Sequence, residues 1–177
     1  MIINMERRKF DLLSDADLGA ACFEPLILTY KKEMSKENDS AVSEQFYSRL
    51  SSGQKALFMF YVYYNHACKS LVELYWWSTY FRAQPKTWSA IKGGLEYFED
   101  RELLNILEEI DLVLERHHYP TNLKEFNVKR EELDDNKDLL HCLELLNIRF
   151  NKTVPFSIRK ISEYIRSNRA EFVHFVD

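Results

Sequence analysis

Apolar residues recur along most of this chain at the three- and four-residue spacing of a helix with one buried side. Almost nowhere do they alternate at the two-residue spacing of a half-buried strand. The clearest stretch is Leu103, Ile106, Leu107, Ile110, Val113 and Leu114, which follow Asp100 as a candidate cap, with Glu102, Glu108, Glu109 and Glu115 on the water-facing side. Nearer the N-terminus, Ser14 or Asp15 can cap a helix running to about Met34. Leu18, Cys22, Leu26 and Ile27 share one side of it, and Pro25 inside it predicts a kink or a break. SKENDS then reads as a loop, a short helix follows from about Ser40 to Leu50, and Ser51 with Gln54 has the form of a capping box. The helix that box opens is expected to run from Ser52 to Arg82. At 1.5 Å per residue it would be roughly 45 Å long, so it must be central, bent, or broken once.

Gln84-Pro85 ends that stretch, and Pro85 can serve as the first residue of a helix carrying Trp88, Ile91 and Leu95, weakened by Gly93-Gly94. HHYPTN is a turn, and Leu123 to Asp135 is polar enough for a loop or a short exposed helix. Two further helices are expected near Asn136–Phe150 and Pro155–Arg169, the second capped by Thr153, with the tail AEFVHFVD extending the last or docking separately. The chain therefore predicts an all-α, single-domain bundle over residues 1–177, with about six to eight helices around a long aromatic central helix. Scarce turn residues agree: the sequence has four Gly and four Pro, where average usage would supply roughly twelve and nine.

With 46% hydrophobic residues in 177, there is ample core for one domain. A formal charge of −4 weighs against nucleic acid as a partner. The charge is uneven: residues 96–144 carry fifteen acidic and six basic side chains, hence −9, while 149–177 carry six basic and three acidic, hence +3. The acidic region, through Glu102, Glu108, Glu109 and Glu115, is the candidate surface for a basic protein partner. Arg159, Lys160 and Arg166 lie opposite Ile158, Ile161 and Ile165, as on a solvated helix face. Cys22, Cys68 and Cys142 match no zinc, redox or disulfide spacing and are expected to be reduced. No apolar run is long enough for a signal peptide or a membrane span, so a cytoplasmic protein without a membrane partner is expected.

The aromatic residues from Phe58 to Tyr64 occupy every side of their helix, as core does. Further on, Tyr63, His66, Ser70, Glu73, Trp77 and Tyr80 fall within an arc of about 100° on a continuous helix. This is the candidate ligand-binding face. On it, His66 and Glu73 either satisfy each other inside the bundle or line a pocket for a small organic or peptide ligand. No nucleophile, phosphate loop or oxyanion device accompanies them, so no catalytic residue is assigned. Glu115 with His118 and Glu171 with His174 have the three-residue spacing of carboxylate-bridged metal sites. Their number is close to chance and both sit at segment ends, so no metal or other cofactor is expected.

The run LSSGQKALFMFYVYYNHACKSLVELYWW followed by WSAIKGGLEYFEDRELLNILEEIDLVL resembles the core pattern of the DUF4375 family, small bacterial helical proteins related to a DNA-mimic protein. The resemblance spans about residues 50–114. It implies an all-helical intracellular fold that binds another protein. Asn65-His66-Ala67 stands where that family has Asn-Gly-Gly, and no functional residue is carried over. The leading expectation is thus a non-catalytic, regulatory or immunity-type protein acting on a protein partner. The alternatives are a small-molecule-binding protein or enzyme with its pocket at His66, Ser70 and Glu73, and, third, a metal-dependent bundle enzyme. Self-association is left open.

Overall fold

Side-chain caps fix where most of the helices begin. The computed structural model describes residues 1–35 and 40–176, among which there are nine α-helices and one two-stranded sheet. Ser14 opens α2 (Asp15–Met34), and Ser51 opens α4 (Ser52–Ala67) with both arms of its capping box formed. Pro85 opens α6 (Pro85–Tyr97) and Asp100 opens α7 (Arg101–Arg116). These starts agree with the sequence, as does α3 (Ser40–Ser48). Of the expected SKENDS loop, residues 36–39 lie outside the described residues. Pro25 does not break α2.

The stretch expected as one helix from Ser52 to Arg82 is broken once. α4 ends at Ala67, and Ser70 caps a second helix, α5 (Leu71–Arg82), by accepting from the Glu73 amide at 3.1 Å. The two halves then pack against each other instead of projecting past the domain. Conversely, the two helices expected after Asn136 are one: α9 runs unbroken from Lys137 to Ser167, with Pro155 and Thr153 in its interior. Thr153 is therefore buried and caps nothing. Pro155 is tolerated because it removes only the amide that would bond the Asn151 carbonyl, and both residues are exposed, so water can take that place.

Four short elements, two at each end of the chain, went unforeseen. The N-terminus forms β1 (Asn4–Glu6) and α1 (Arg7–Leu12), and the tail forms a 3-10 turn (Arg169–Glu171) and β2 (His174–Val176). β1 and β2 pair in parallel, Met5 opposite Phe175. The tail docks separately, and a turn of helix, α8 (Glu132–Asp135), lies in the segment read as loop or short helix.

One continuous core runs from Ile3 to Val173. α4 is its centre: Leu57, Phe58, Met59, Phe60 and Tyr61 are all buried, covering every side of the helix. α6, α5 and α2 pack around it, and α9 spans α2, α5 and α7. A half-buried charge cluster also joins α5, α6 and α7. Arg82 donates to Asp111 at 2.6 Å and to the Tyr119 carbonyl at 2.8 Å, while Trp88 and Lys92 each donate to Asp111 at 3.1 Å. Burial pushes the Asp111 carboxyl up, but the three donors outweigh it and hold it below its ordinary range. No helix is long and apolar enough, among the described residues, to cross a membrane.

Candidate functional site

α2, α4 and α5 meet around a cavity of about 600 Å³ beside His66. Its walls are rings: Phe23 and Tyr30 from α2, Tyr61 from α4, Tyr80 and Phe81 from α5. Phe23 and Tyr61 stack at 5.1 Å. Lys31 on α2, Asn65 and His66 on α4, and Lys69 in the turn that breaks the aromatic stretch are among its polar groups, with Ser43, Gln84 and Thr87 on the α3 and α6 side.

The His66 ring is held by stacking on Trp77, with centroids 3.8 Å apart. Burial, then the positive charge of Lys69, hold its imidazole below the ordinary histidine range; Glu73 opposes and Lys31 adds to the lowering. At neutral pH His66 is therefore an uncharged ring in a field made positive by two lysines. Neither Lys31 nor Lys69 has an ion-pair partner among the described residues.

Glu73 does not pair with His66. Its carboxylate accepts from Arg130 Nε at 2.6 Å and Nη2 at 3.1 Å, and from Trp77 Nε1 at 2.8 Å. The hydrogen bonds from Arg130 are the largest influence on Glu73 and hold its carboxyl below the usual range. The same guanidinium lies 4.2 Å over the Trp76 ring, and Trp76 donates to the Val128 carbonyl at 3.1 Å. Glu73 thus ties the segment before α8 onto α5. Ser70 is spent as the α5 cap, and Tyr63 is buried with its hydroxyl 2.8 Å from Ser78 Oγ. Of the six residues on the expected face, His66 and Tyr80 line the cavity and Trp77 backs His66, whereas Tyr63, Ser70 and Glu73 serve the fold. The break at Ser70 is the reason, because the arc assumed an unbroken helix.

A second cavity, of about 680 Å³, continues along α4 between α3 and α6. Ala56, Met59, Ala90 and Gly93 give it an apolar floor, Tyr47 and Tyr97 flank it, and Glu44, Lys55 and Lys86 also line it. Gly94 is needed for the close approach of α6, since a Cβ there would meet the Ala56 carbonyl oxygen at 3.0 Å, while a Cβ on Gly93 would meet nothing within 4 Å. Ser43, Tyr47, Met59 and Thr87 wall both cavities, and Tyr47 donates to Met59 Sδ at 3.6 Å.

The acidic candidates divide. Glu109 forms a two-armed pair with Arg149 of α9, one arm 2.7 Å, and Glu102 accepts weakly from Thr153 at 3.4 Å, so both stitch α7 to α9. Glu108 and Glu115 are exposed. In the metal-like pairs, Glu115 and His118 are both exposed, and Glu171 accepts from the Gly53 amide at 3.0 Å and from Tyr97 at 2.8 Å, a cap on α4. Among the described residues no three His, Cys, Asp or Glu side chains gather as a metal site would require. Burial pushes the Cys22 thiol up to about 12, which leaves it inert as a nucleophile at neutral pH.

Comparison with protein-family models, curated proteins and solved structures finds no match to this chain.

Proposed function

We propose that this protein binds a small organic anion carrying an aromatic or apolar body, in the cavity beside His66. One observation carries the reading: Lys31 and Lys69, which have no ion-pair partner among the described residues, flank a half-buried imidazole lining an aromatic-walled cavity in a protein of net charge −4. Concave apolar walls with a few convergent polar groups suit a small ligand, and the lysines choose its sign. This is the small-molecule alternative of the sequence reading, moved from the Ser70 and Glu73 side of α5 to the α2 side of α4. Glu73, the carboxylate whose charge reaches His66, is held by Arg130 and Trp77 and is not free to act with it, so the reading is binding without catalysis. Titration calorimetry with benzoate and with the uncharged benzyl alcohol tests it. Benzoate should bind more tightly, and Lys69→Ala should weaken benzoate at least fivefold, the share of a charge-assisted contact, while leaving the alcohol unaffected. Equal binding of the two compounds, or benzoate affinity indifferent to Lys69, would defeat the proposal.

A second reading, docking of a basic protein partner, is favoured by the exposed Leu112 between Glu108 and Glu115 on α7, 62% accessible. It keeps the partner expected from the acidic region and from the family resemblance. Reversing Glu108 and Glu115 to Lys should slow association with an identified basic partner and flatten its salt dependence; unchanged kinetics would remove this face.

A further inference from the structure

The outward face of α9 is apolar at its middle. Leu139, Leu143, Leu146, Phe150 and Ile161 bury one side of this 31-residue helix in the core. Opposite them, within about 100° of arc at 3.6 residues per turn, stand Leu145, Ile148, Pro155 and Phe156. All four are exposed, and Leu145, Ile148 and Phe156 are between 52% and 70% accessible. A single exposed apolar residue is ordinary, but four on one stripe form a patch. The charges to either side of it are opposite in sign. Residues 131–144 carry six acidic and one basic side chain, hence −5, and residues 152–169 carry five basic and one acidic, hence +4. The stripe is centred where the sign changes.

We propose that this face of α9 is the contact between two copies of the chain, packed antiparallel about a two-fold axis at the level of Phe150. An antiparallel pair sets the −5 end of each copy against the +4 end of the other, whereas a parallel pair sets like against like. Charge complementarity therefore selects a second copy as the occupant and fixes its direction. The side-chain positions also repeat under that reversal. His141, Leu145, Ile148, Lys152, Pro155 and Arg159 are spaced four, three, four, three and four residues apart, the same from either end. Ile148 then meets the stem of Lys152 in the second copy, and Leu145 meets Pro155 and Phe156 there. Glu144 falls between Lys152 and Arg159 of the second copy. Within its own chain neither Glu144 nor Lys152 has an ion-pair partner among the described residues. Arg159 pairs with Glu163 yet keeps its side chain mostly exposed. The proposal rests on neither reading of the function given above.

Sedimentation equilibrium of the full chain over about 10–500 µM is the test, a range suited to the small interface that one helix stripe makes. The native chain should pass from monomer to dimer as concentration rises, with a dissociation constant at least about fivefold higher in about 0.5 M salt than in about 0.05 M. Ile148→Asp and Phe156→Ser, both at exposed positions, should each leave the chain monomeric throughout, with thermal melts confirming that they fold. Glu144→Lys and Lys152→Glu should each weaken the dimer at least about fivefold, and the double variant should return to within about twofold of the native affinity. Eight residues apart on one helix, about 12 Å, these two side chains do not meet within a chain, so such rescue comes only from an antiparallel second copy. A native chain that is monomeric at every concentration would leave the stripe to a different protein and overturn the proposal. A dimer indifferent to Ile148→Asp and Phe156→Ser, or a double variant no better than the single ones, would overturn it equally.

Discussion

Replacing Glu73 by Ala separates a role in the fold from a role in the cavity, because the structure gives this carboxylate structural partners only. Three contributions are lost. The Arg130 pair is two-armed, but the Arg130 side chain is 39% exposed, so its worth is that of a partly solvated ion pair, about 0.5–1 kcal/mol. The Trp77 indole N–H loses an acceptor at 2.8 Å in a half-buried setting, about 1 kcal/mol. Glu73 is also the third residue of α5, where a negative charge near the helix N-terminus contributes about 0.3–1 kcal/mol. The Ser70 cap survives, since it bonds the Glu73 backbone. The expected cost is about 2–3 kcal/mol, read as a lower urea midpoint at unchanged slope. Glu73→Gln should recover part of the Trp77 contribution and none of the charge. Benzoate affinity should stay within twofold of the native chain. A destabilisation below about 0.5 kcal/mol, or a stable variant that no longer binds anions, would refute this division of labour.

Asp111→Ala should cost more, about 3–5 kcal/mol in urea unfolding, because it strands Arg82, which is 8% exposed, without its carboxylate; a loss under 1 kcal/mol would show that cluster to be dispensable. Pro155→Ala restores an amide for the Asn151 carbonyl inside α9 and should raise stability by about 1–3 kcal/mol. Loss of stability there would mean that α9 needs its proline geometry for packing. Anion binding should tighten as pH falls from 7 toward 5: His66 faces Lys31 from α2, Lys69 from its own turn, and Glu73 and Trp77 from α5, and a bound anion favours its protonated form. In the free protein the sign is opposite. His66 takes its proton less readily folded than unfolded, so its contribution to stability is present above pH 6.5 and lost as pH falls below it.

Helix identity was legible wherever a cap coincided with an amphipathic run, as at Ser51, Pro85 and Asp100. The break at Ser70 was also written in the chain, because Ser70-Leu71-Val72-Glu73 has the serine-to-glutamate spacing of a capping box. The aromatic density on either side concealed it, and Glu73 turns its side chain to Arg130 and Trp77, leaving one arm of the box unmade. Pro155 misled in the other direction: the rule that proline ends a helix presumes that the lost hydrogen bond cannot be replaced, and exposure at Asn151 removes that premise. The β1–β2 pair joins segments at opposite ends of the chain, each of three residues, too short for alternation to register. At the cavity, His66 and Tyr80 were visible as polar and aromatic residues on one arc. Lys31 and Lys69 carried no signal, since a lysine on α2 and one in an inter-helix turn converge only after folding. Asp111, on the margin of the α7 buried face, likewise depended on partners from α5 and α6.

The most direct test of the account is a nuclear magnetic resonance titration of the five histidine rings with benzoate, at fixed ligand and varied pH. The account predicts that the His66 ring alone shifts on binding, that its pKa rises toward or above the ordinary histidine value in the complex, and that Lys69→Ala diminishes both effects. A His66 resonance and pKa indifferent to saturating benzoate, or shifts confined to His117, His118 and His141, would contradict the assignment of the cavity beside α4 as the binding site.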